Sequence, residues 1–270
     1  VIVDFHAHTT ESDGSLPPAA LVELMHRRGV EVFAISDHDT LSAYEGLGVP
    51  REMRLIPGVE INTTYKHNEV HVLGYGMRAH DERFAALLRR NREQRRLRVE
   101  RMVAQLRAAG YGVTMDDVER EAAGAKALGR PHVGKALVRR GHFPDIAAAF
   151  RGALRRGTAG YVPSTHCSPQ EAIEAIVGAG GIPVLAHPGR LKDRSLIDEL
   201  AARGLRGLEV FYPLHAPDDV AFFRETARRL GLLATGGSDF HDPQYHPSGV
   251  GIEVPVEEIR PFLEALGAAA

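Results

Sequence analysis

The sequence predicts a parallel α/β protein, either a barrel or a doubly wound sheet, with one face rich in histidines and acids. Three observations predict it. Short β-branched runs alternate with amphipathic helical stretches, the pattern of successive βα units. Imidazoles and carboxylates fall at the ends of those runs, where α/β barrels carry their functional loops. One stretch, residues 81–157, breaks the alternation with helical pattern alone.

The expected strands are "VIVDFHAH" (1–8), "EVFAISDH" (31–38), "RLIPGVEI" (54–61), "EVHVLGYG" (69–76), "IPVLAHP" (182–188), "GLEVF" (207–211) and "LLATGGSD" (232–239). Helices fit 17–28, 168–180, 195–204 and 216–231. The first has Pro17 and Pro18 where a first helical turn tolerates them, and Gly29 where the helix should stop. The second opens with Ser168 at the N-cap, Pro169 next and Glu171 at the third helical position, a capping box in outline. Within 81–157, Thr114 and Asp117 have the spacing of an N-terminal cap. The expected organisation is a barrel domain made of 1–80 and 158–270, interrupted by a helical insertion over 81–157.

Bulk properties exclude several classes of function. The formal net charge of −2 gives no whole-molecule field directed at nucleic acid or membrane. No apolar run approaches the ~20 residues that span a bilayer. Cys167 is the only cysteine, so no internal disulfide can form, and the expected compartment is the reducing cytoplasm. Histidine is the outlier at fourteen residues, and their positions carry the information.

Alternation along the first strand sends His6 and His8 to the same side. Two imidazoles on one face make a poor core and half of a metal site. Asp13 follows in "ESDG"; strand two ends in Asp37, His38 and Asp39; strand three carries Glu60 and strand four His71. Strand five ends in His187 and strand seven in Asp239 and His241. Random placement would scatter such residues over loops, helices and both ends of strands. His26, His67, His80, His142 and His246 lack this placement and read as solvated surface residues. His166 and His215 lie near strand ends without further context.

The motifs "DFHAHTTESDG", "AISDHDT", "GVEIN", "HVLGYG", "AHPGR" and "GGSDFH" resemble, in order, those of the PHP (polymerase and histidinol phosphatase) family, over residues 1 to about 255. The helical insertion and "GRPHVGKAL" are similar to a subgroup of small phosphoesterases: nucleoside-3′,5′-bisphosphate phosphatases and short-RNA 5′→3′ exonucleases. The resemblance implies a distorted (β/α)7 barrel with a trinuclear centre of two to three divalent ions, Mn, Fe or Zn. One ion would take His6, His8, Glu60 and Asp239; a second Asp13, His38 and His241; a third Glu60, His71 and His187. Glu60 would thus bridge two ions, and catalysis would rest most directly on Glu60, Asp239 and His241. Some members carry a histidine where this chain has Asp13, and that oxygen donor moves preference toward Mn or Fe. The resemblance also implies phosphate contacts from Arg130, His132 and Arg190, with Lys135 beside them.

Clustered divalent ions suit phosphate-ester hydrolysis because they lower the pKa of a bound water toward ~7 and clamp the phosphoryl oxygens. One of Asp37 and Asp39 is expected either to orient a ligand imidazole through its other nitrogen or to cap a turn. The arginine-dense "RRNREQRRLRVER" reads either as a solvated helix face or as a guide for a second phosphate or short RNA. The expected activity is hydrolysis of phosphomonoesters of small nucleotides, AMP-like or 3′,5′-bisphosphates. The alternatives are 5′→3′ cleavage of short RNA, histidinol-phosphate hydrolysis, a metal-binding module of a larger assembly and, last, an amidohydrolase. Long nucleic acid and membranes are not expected partners, and the sequence leaves the oligomeric state open.

Overall fold

The computed structural model describes residues 1–244 and 246–267. Seven strands form the main sheet: β1 (Ile2–Asp4), β2 (Val32–Ile35), β3 (Arg54–Tyr65), β4 (Asn68–Tyr75), β5 (Ile182–Leu185), β6 (Gly207–Phe211) and β7 (Leu233–Gly236). Each lies beside its neighbour in chain order, and a two-residue strand, β8 (Ile252–Glu253), pairs antiparallel with β1. The extensions of β1 and β7 also join. Phe5 N–H donates to Gly236 O at 3.0 Å, Asp239 N–H to His6 O at 2.7 Å and His8 N–H to Phe240 O at 2.8 Å. These bonds close the sheet into a distorted barrel, so the fold is the expected α/β barrel rather than a doubly wound sheet.

The expected parallel run fails at one strand. β4 is antiparallel to both β3 and β5. The cause is a two-residue hairpin in which Tyr65 pairs with Asn68, and Lys66 and His67 have φ of 45° and 65°. Two consecutive left-handed residues match the right-handed strand twist, the type I′ solution that usually shows as Asn-Gly. "KH" hides that signal. Reversal matters for the site, because it places the start of β4, with His71, at the same end as the C-termini of the parallel strands.

Helices α1 (Pro18–Arg27), α6 (Pro169–Gly178), α7 (Leu196–Ala201) and α8 (Pro217–Leu230) follow the barrel strands. The Ser168–Glu171 capping box forms as expected. A last helix, α9 (Val256–Gly267), was not expected. Its Phe262 lies edge-on to Phe5 at 5.1 Å and to Tyr75 at 5.2 Å, and all three are fully buried. Tyr75 ends the reversed strand, so this aromatic plug fills the barrel at the end opposite the histidines. Each such ring contributes roughly 1.5–3 kcal/mol by burial.

Between β4 and α6 the chain is helical: α2 (Glu82–Ala108), α3 (Met115–Ala122), α4 (Arg130–Arg139) and α5 (Ile146–Arg151). Thr114 and Asp117 form the expected capping box at the start of α3. These helices bury a hydrophobic cluster of their own, including Val99, Met102, Leu106, Val133, Leu137 and Leu154. α2 is fastened to the barrel by polar contacts. Arg95 Nε donates to Asp39 Oδ2 at 2.6 Å, and Asn91 Nδ2 donates to Asp39 Oδ1 at 2.8 Å and to Asn62 O at 2.9 Å. No helix among the described residues is long and apolar enough to cross a membrane.

Candidate metal centre

The site forms where the strand ends leave the ladder. β1, β2, β5 and β7 all stop earlier than their sequence runs, and the site residues sit in the irregular backbone beyond. Asp39 (φ 54°), His187 (φ 29°) and Asp239 (φ 54°) are non-glycine residues in the left-handed region, a conformation that costs energy and clusters at functional sites. Two glycines permit the close approach. A Cβ on Gly237 would lie 2.3 Å from the His6 Cβ, and one on Gly14 2.4 Å from the His8 carbonyl oxygen.

Three groups of side chains converge here: His6, His8, Glu60 and Asp239; His8, Asp13, His38 and His241; Glu60, His71 and His187. All nine expected ligand residues are brought together, and His8 joins the second group as well. His6 Nε2 lies 3.4 Å from both Glu60 Oε1 and Asp239 Oδ1. His8 Nε2 lies 3.3 Å from Glu60 Oε2 and 3.4 Å from Asp239 Oδ1, while its Nδ1 faces Asp13 at 3.9 Å. His71 Nδ1 and His187 Nε2 approach Glu60 Oε1 at 2.7 and 3.1 Å. His38 and His241 approach Asp13 through Nε2 at 3.6 and 3.4 Å.

The donor atoms fit bound cations. His6 Nε2, both ring nitrogens of His8, His38 Nδ1, Asp13 Oδ1 and Glu60 Oε2 are buried without a hydrogen-bond partner. Leaving so many polar atoms unpaired would be costly, and their convergence supplies the reason. Burial would raise the carboxyl pKa values of Glu60, Asp13 and Asp239, but the surrounding imidazoles hold all three well below the ordinary range. Burial lowers the His38 pKa to about 3, which keeps that ring neutral and its lone pair available.

Sequence reasoning missed the carboxylate that orients the site. Glu209, fully buried in the middle of β6, accepts from His6 Nδ1 at 2.9 Å and from His187 N–H at 2.6 Å. It thereby points His6 Nε2 at the centre. "GLEVF" offered only an acid inside an apolar strand, which is itself the usable signal. Asp37 and Asp39 do not orient an imidazole. Asp37 accepts from Thr9 and Ser12 and ties down the loop after β1, and Asp39 holds α2.

The helices supply the opposite wall of a cavity of ≈ 200 Å³. Arg130 and Arg190 line it, as expected. Arg190 donates to the Tyr212 hydroxyl and lies 3.1 Å from Asp239 Oδ2. Arg130 reaches Glu69 at 3.2 Å, and Glu69 also holds Arg98 at 2.5 Å. Arg95 and Arg98 line the cavity too, so the arginine-dense helix is divided: these two turn inward and are buried, while Arg90 and Arg96 make exposed ion pairs. His132 and Lys135 are not in the lining. His132 is buried at the start of α4, where its Nδ1 accepts Gly129 N–H at 3.0 Å. That bond uses the ring to shape the loop before Arg130.

Two further histidines take defined places, one left open by the sequence and one contrary to its surface reading. His215 pins the turn that carries Arg190, donating to Val210 O and accepting from Gly189 N–H. His246 is not a free surface residue, for its ring stacks on His241 at 5.6 Å.

No family model matches the chain. A 3′,5′-nucleoside bisphosphate phosphatase of Chromobacterium violaceum is 36% identical over 250 residues, covering 89% of this chain and 87% of that protein. The 5′-3′ exoribonuclease Rnm of Escherichia coli is 34% identical over 256 residues, covering 90% of this chain and 86% of that protein. A solved structure described as an amidohydrolase from Chromobacterium violaceum, with bound sulfate and no metal, superposes with a TM-score of 0.88. It is 34% identical and covers 99% of this chain and 96% of that one. A metal-dependent phosphoesterase from Bifidobacterium adolescentis gives 0.86 at 33% identity, covering 97% and 96%.

Proposed function

The chain belongs to the PHP family of metal-dependent phosphoesterases and hydrolyses phosphoric ester bonds, and on that premise we propose that its substrates are phosphomonoesters of small nucleotides, AMP-like or nucleoside 3′,5′-bisphosphates. The observation that carries this reading is the pairing of two walls across one small cavity. Partnerless nitrogen and carboxylate donors face four guanidinium groups, a combination suited to a compact dianion.

Two to three divalent ions would be held by His6, His8, Glu60 and Asp239, by Asp13, His38 and His241, and by Glu60, His71 and His187. When bound, they supply an activated water and neutralise phosphoryl charge. The mixed oxygen and imidazole donors favour Mn or Fe over an all-zinc centre. Everything else falls to the chain. Glu60 is the proposed bridge, since Oε1 faces His6, His71 and His187 while Oε2 faces His8 and His38. Glu209 fixes the tautomer and direction of His6. Asp239 and His241, on the loop after β7, complete the catalytic set.

We assign phosphate contact to Arg130 and Arg190, and add Arg95 and Arg98. Planar guanidinium groups can each donate two hydrogen bonds to a phosphate. In this reading residues 81–157 act as a substrate-side insertion into the barrel domain formed by 1–80 and 158–270. The buried, unpaired Cys167 suits a reducing compartment such as the cytoplasm. A second reading, 5′→3′ cleavage of short RNA, draws on the similarity to the exoribonuclease and on a basic cavity beside the centre.

The test is phosphate release with Mn added, comparing AMP, adenosine 3′,5′-bisphosphate, histidinol phosphate and a 5′-phosphorylated trinucleotide. Preference for the bisphosphate supports the first reading, and stepwise shortening of the trinucleotide the second. Fully active protein holding at most one metal equivalent would overturn the multinuclear centre.

A further inference from the structure

β6 gives no residue to the three donor groups among the described residues, yet a side chain at its end is set against them. Tyr212 directly follows β6 and is 6% exposed. Its ring packs between two histidines, with centroids 5.9 Å from the His187 ring and 5.1 Å from the His215 ring. Its hydroxyl meets Arg190 Nη2 on one side and Asp239 Oδ2, 3.2 Å away, on the other. Chemistry fixes the direction of both bonds. A guanidinium has no acceptor and an ionised carboxylate has no proton to give, so the phenol accepts from Arg190 and donates to Asp239. The two oxygens of Asp239 are thereby divided. Oδ1 lies 3.4 Å from both His6 Nε2 and His8 Nε2 and belongs to the donor set. Oδ2 faces Tyr212 and, at 3.1 Å, Arg190. Arg190 is constrained as well. Its guanidinium stands over the Tyr212 ring, 5.4 Å from the centroid, although the side chain is 52% exposed and would otherwise sample many rotamers.

We propose that Tyr212 is a positioning residue for the hydrolysis: its hydroxyl reserves Asp239 Oδ2, leaving Oδ1 to the ions, and sets Arg190 toward the phosphate. The inference rests on the phosphate contact assigned to Arg190 above and deepens it. The hydroxyl then has two separable consequences. On the metal side, a carboxylate held through one oxygen presents the other in a single direction, as orienting partners of metal ligands commonly ensure. On the substrate side, the ring face alone lets the guanidinium slide, while the hydroxyl fixes the planar fork that meets a phosphate. Glu209 and Tyr212 together make β6 the strand that orients the centre without ligating it.

Tyr212→Phe keeps the ring and removes only the hydroxyl. Competitive titration of the chelator-treated full chain reads Mn affinity, and the variant should bind roughly ten- to a hundredfold more weakly than wild type. Kinetics of the Mn-saturated chain on AMP and adenosine 3′,5′-bisphosphate complete a cycle with Arg190→Ala and the double variant. Each single change should lower kcat/KM by about tenfold. The double variant should fall no more than about twofold below Arg190→Ala, because the hydroxyl acts on phosphate only through that arginine. A packing role would give additive losses instead. Unchanged Mn affinity in Tyr212→Phe, or additive losses in the cycle, would overturn the proposal. If wild type turns over neither nucleotide, the substrate reading has failed; if Arg190→Ala loses nothing, the phosphate assignment of that arginine has failed. In either case the titration decides Tyr212 alone: weaker Mn binding sustains its role, and wild-type affinity overturns it.

Discussion

The two walls of the central cavity are built on different plans. The barrel wall takes its functional atoms from residues at strand ends, each fixed by short-range chain geometry: an i, i+2 pair just beyond β1, a reversed hairpin for His71, left-handed backbone at His187 and Asp239. The helical wall takes its atoms from α2 and from the loop leading into α4, and its cations are fixed by contacts remote in sequence. Arg98 reaches Glu69 on β4, and Arg95 reaches Asp39 beyond β2. The first plan gives a stiff centre in which displacement of one donor disturbs several. The second gives a set of charges whose members can be removed singly.

That contrast predicts unequal consequences, largest on the barrel wall. Glu60→Gln removes the charge shared by two of the three groups, so nucleophile activation and phosphate clamping should fail together. Turnover should fall on the order of 10³-fold or more, with metal content reduced by elemental analysis. A folded Glu60→Gln protein with near-normal kcat would show that the strand-three carboxylate is structural.

The next effect comes from Glu209, which belongs to the barrel wall but touches no phosphate. Glu209→Gln keeps an acceptor near His6 Nδ1 and removes the charge. Orienting carboxylates of this type typically contribute 10–100-fold to metal affinity. Competitive metal titration should therefore show weaker binding, with activity recovering at high Mn. Loss of activity that excess Mn does not restore would count against a positioning role.

On the helical wall, Arg98→Ala and Arg130→Ala should each lower kcat/KM by about tenfold, at the lower end for a charge-assisted hydrogen bond, and leave metal content intact. Glu69 makes the pair informative. Its carboxyl pKa is held down to about 2 by Arg130 and Arg98 against the effect of burial, so removing both arginines leaves a half-buried anion without those partners. The double variant should lose stability as well as activity. If its thermal midpoint matches wild type, Glu69 is solvated more freely than its position implies.

The same division explains what the sequence disclosed. All nine proposed ligands sit in motifs whose residue types and spacing carry the chemistry within a few positions, as in "DFHAH" or "GSDFH". The strand succession and the capping boxes at Ser168 and Thr114 are equally local. β4 was misread because its hairpin uses Lys66 and His67 in a turn that normally shows itself through Asn-Gly. α9 escaped because Pro261 interrupts a short pattern whose purpose, plugging the barrel with Phe262, is tertiary. Arg95 and Arg98 could not be told from Arg90 and Arg96 by composition. Only the packing of α2 on the barrel decides which guanidinium groups face inward. His132, for which the resemblance implies a phosphate contact, lies outside the cavity lining, and its Nδ1 is engaged by Gly129 N–H, a placement that composition does not disclose.

The smallest effect concerns stability, and it reads the field of the helical wall directly. His166 is buried, and neither ring nitrogen has a hydrogen-bond partner. Burial, reinforced by the charges of Arg95 and Arg98, lowers its pKa to about 3, against about 6.5 in an unfolded chain. Between those values the unfolded chain binds the extra proton and the folded one does not, so folding stability falls as pH drops from 6.5 toward 3 and is unaffected above 6.5. Burial lowers the pKa of His38 to about 3 and of His132 to about 4 as well, so the measurement is a difference. Urea unfolding of wild type and His166→Gln, both chelator-treated, is compared at pH 7.5 and pH 4.5. Wild type should lose more stability over that interval than the variant, by on the order of 2 kcal/mol. Parallel losses would mean that His166 titrates as it does in water, and that the cationic character of the helical wall ends at the cavity surface.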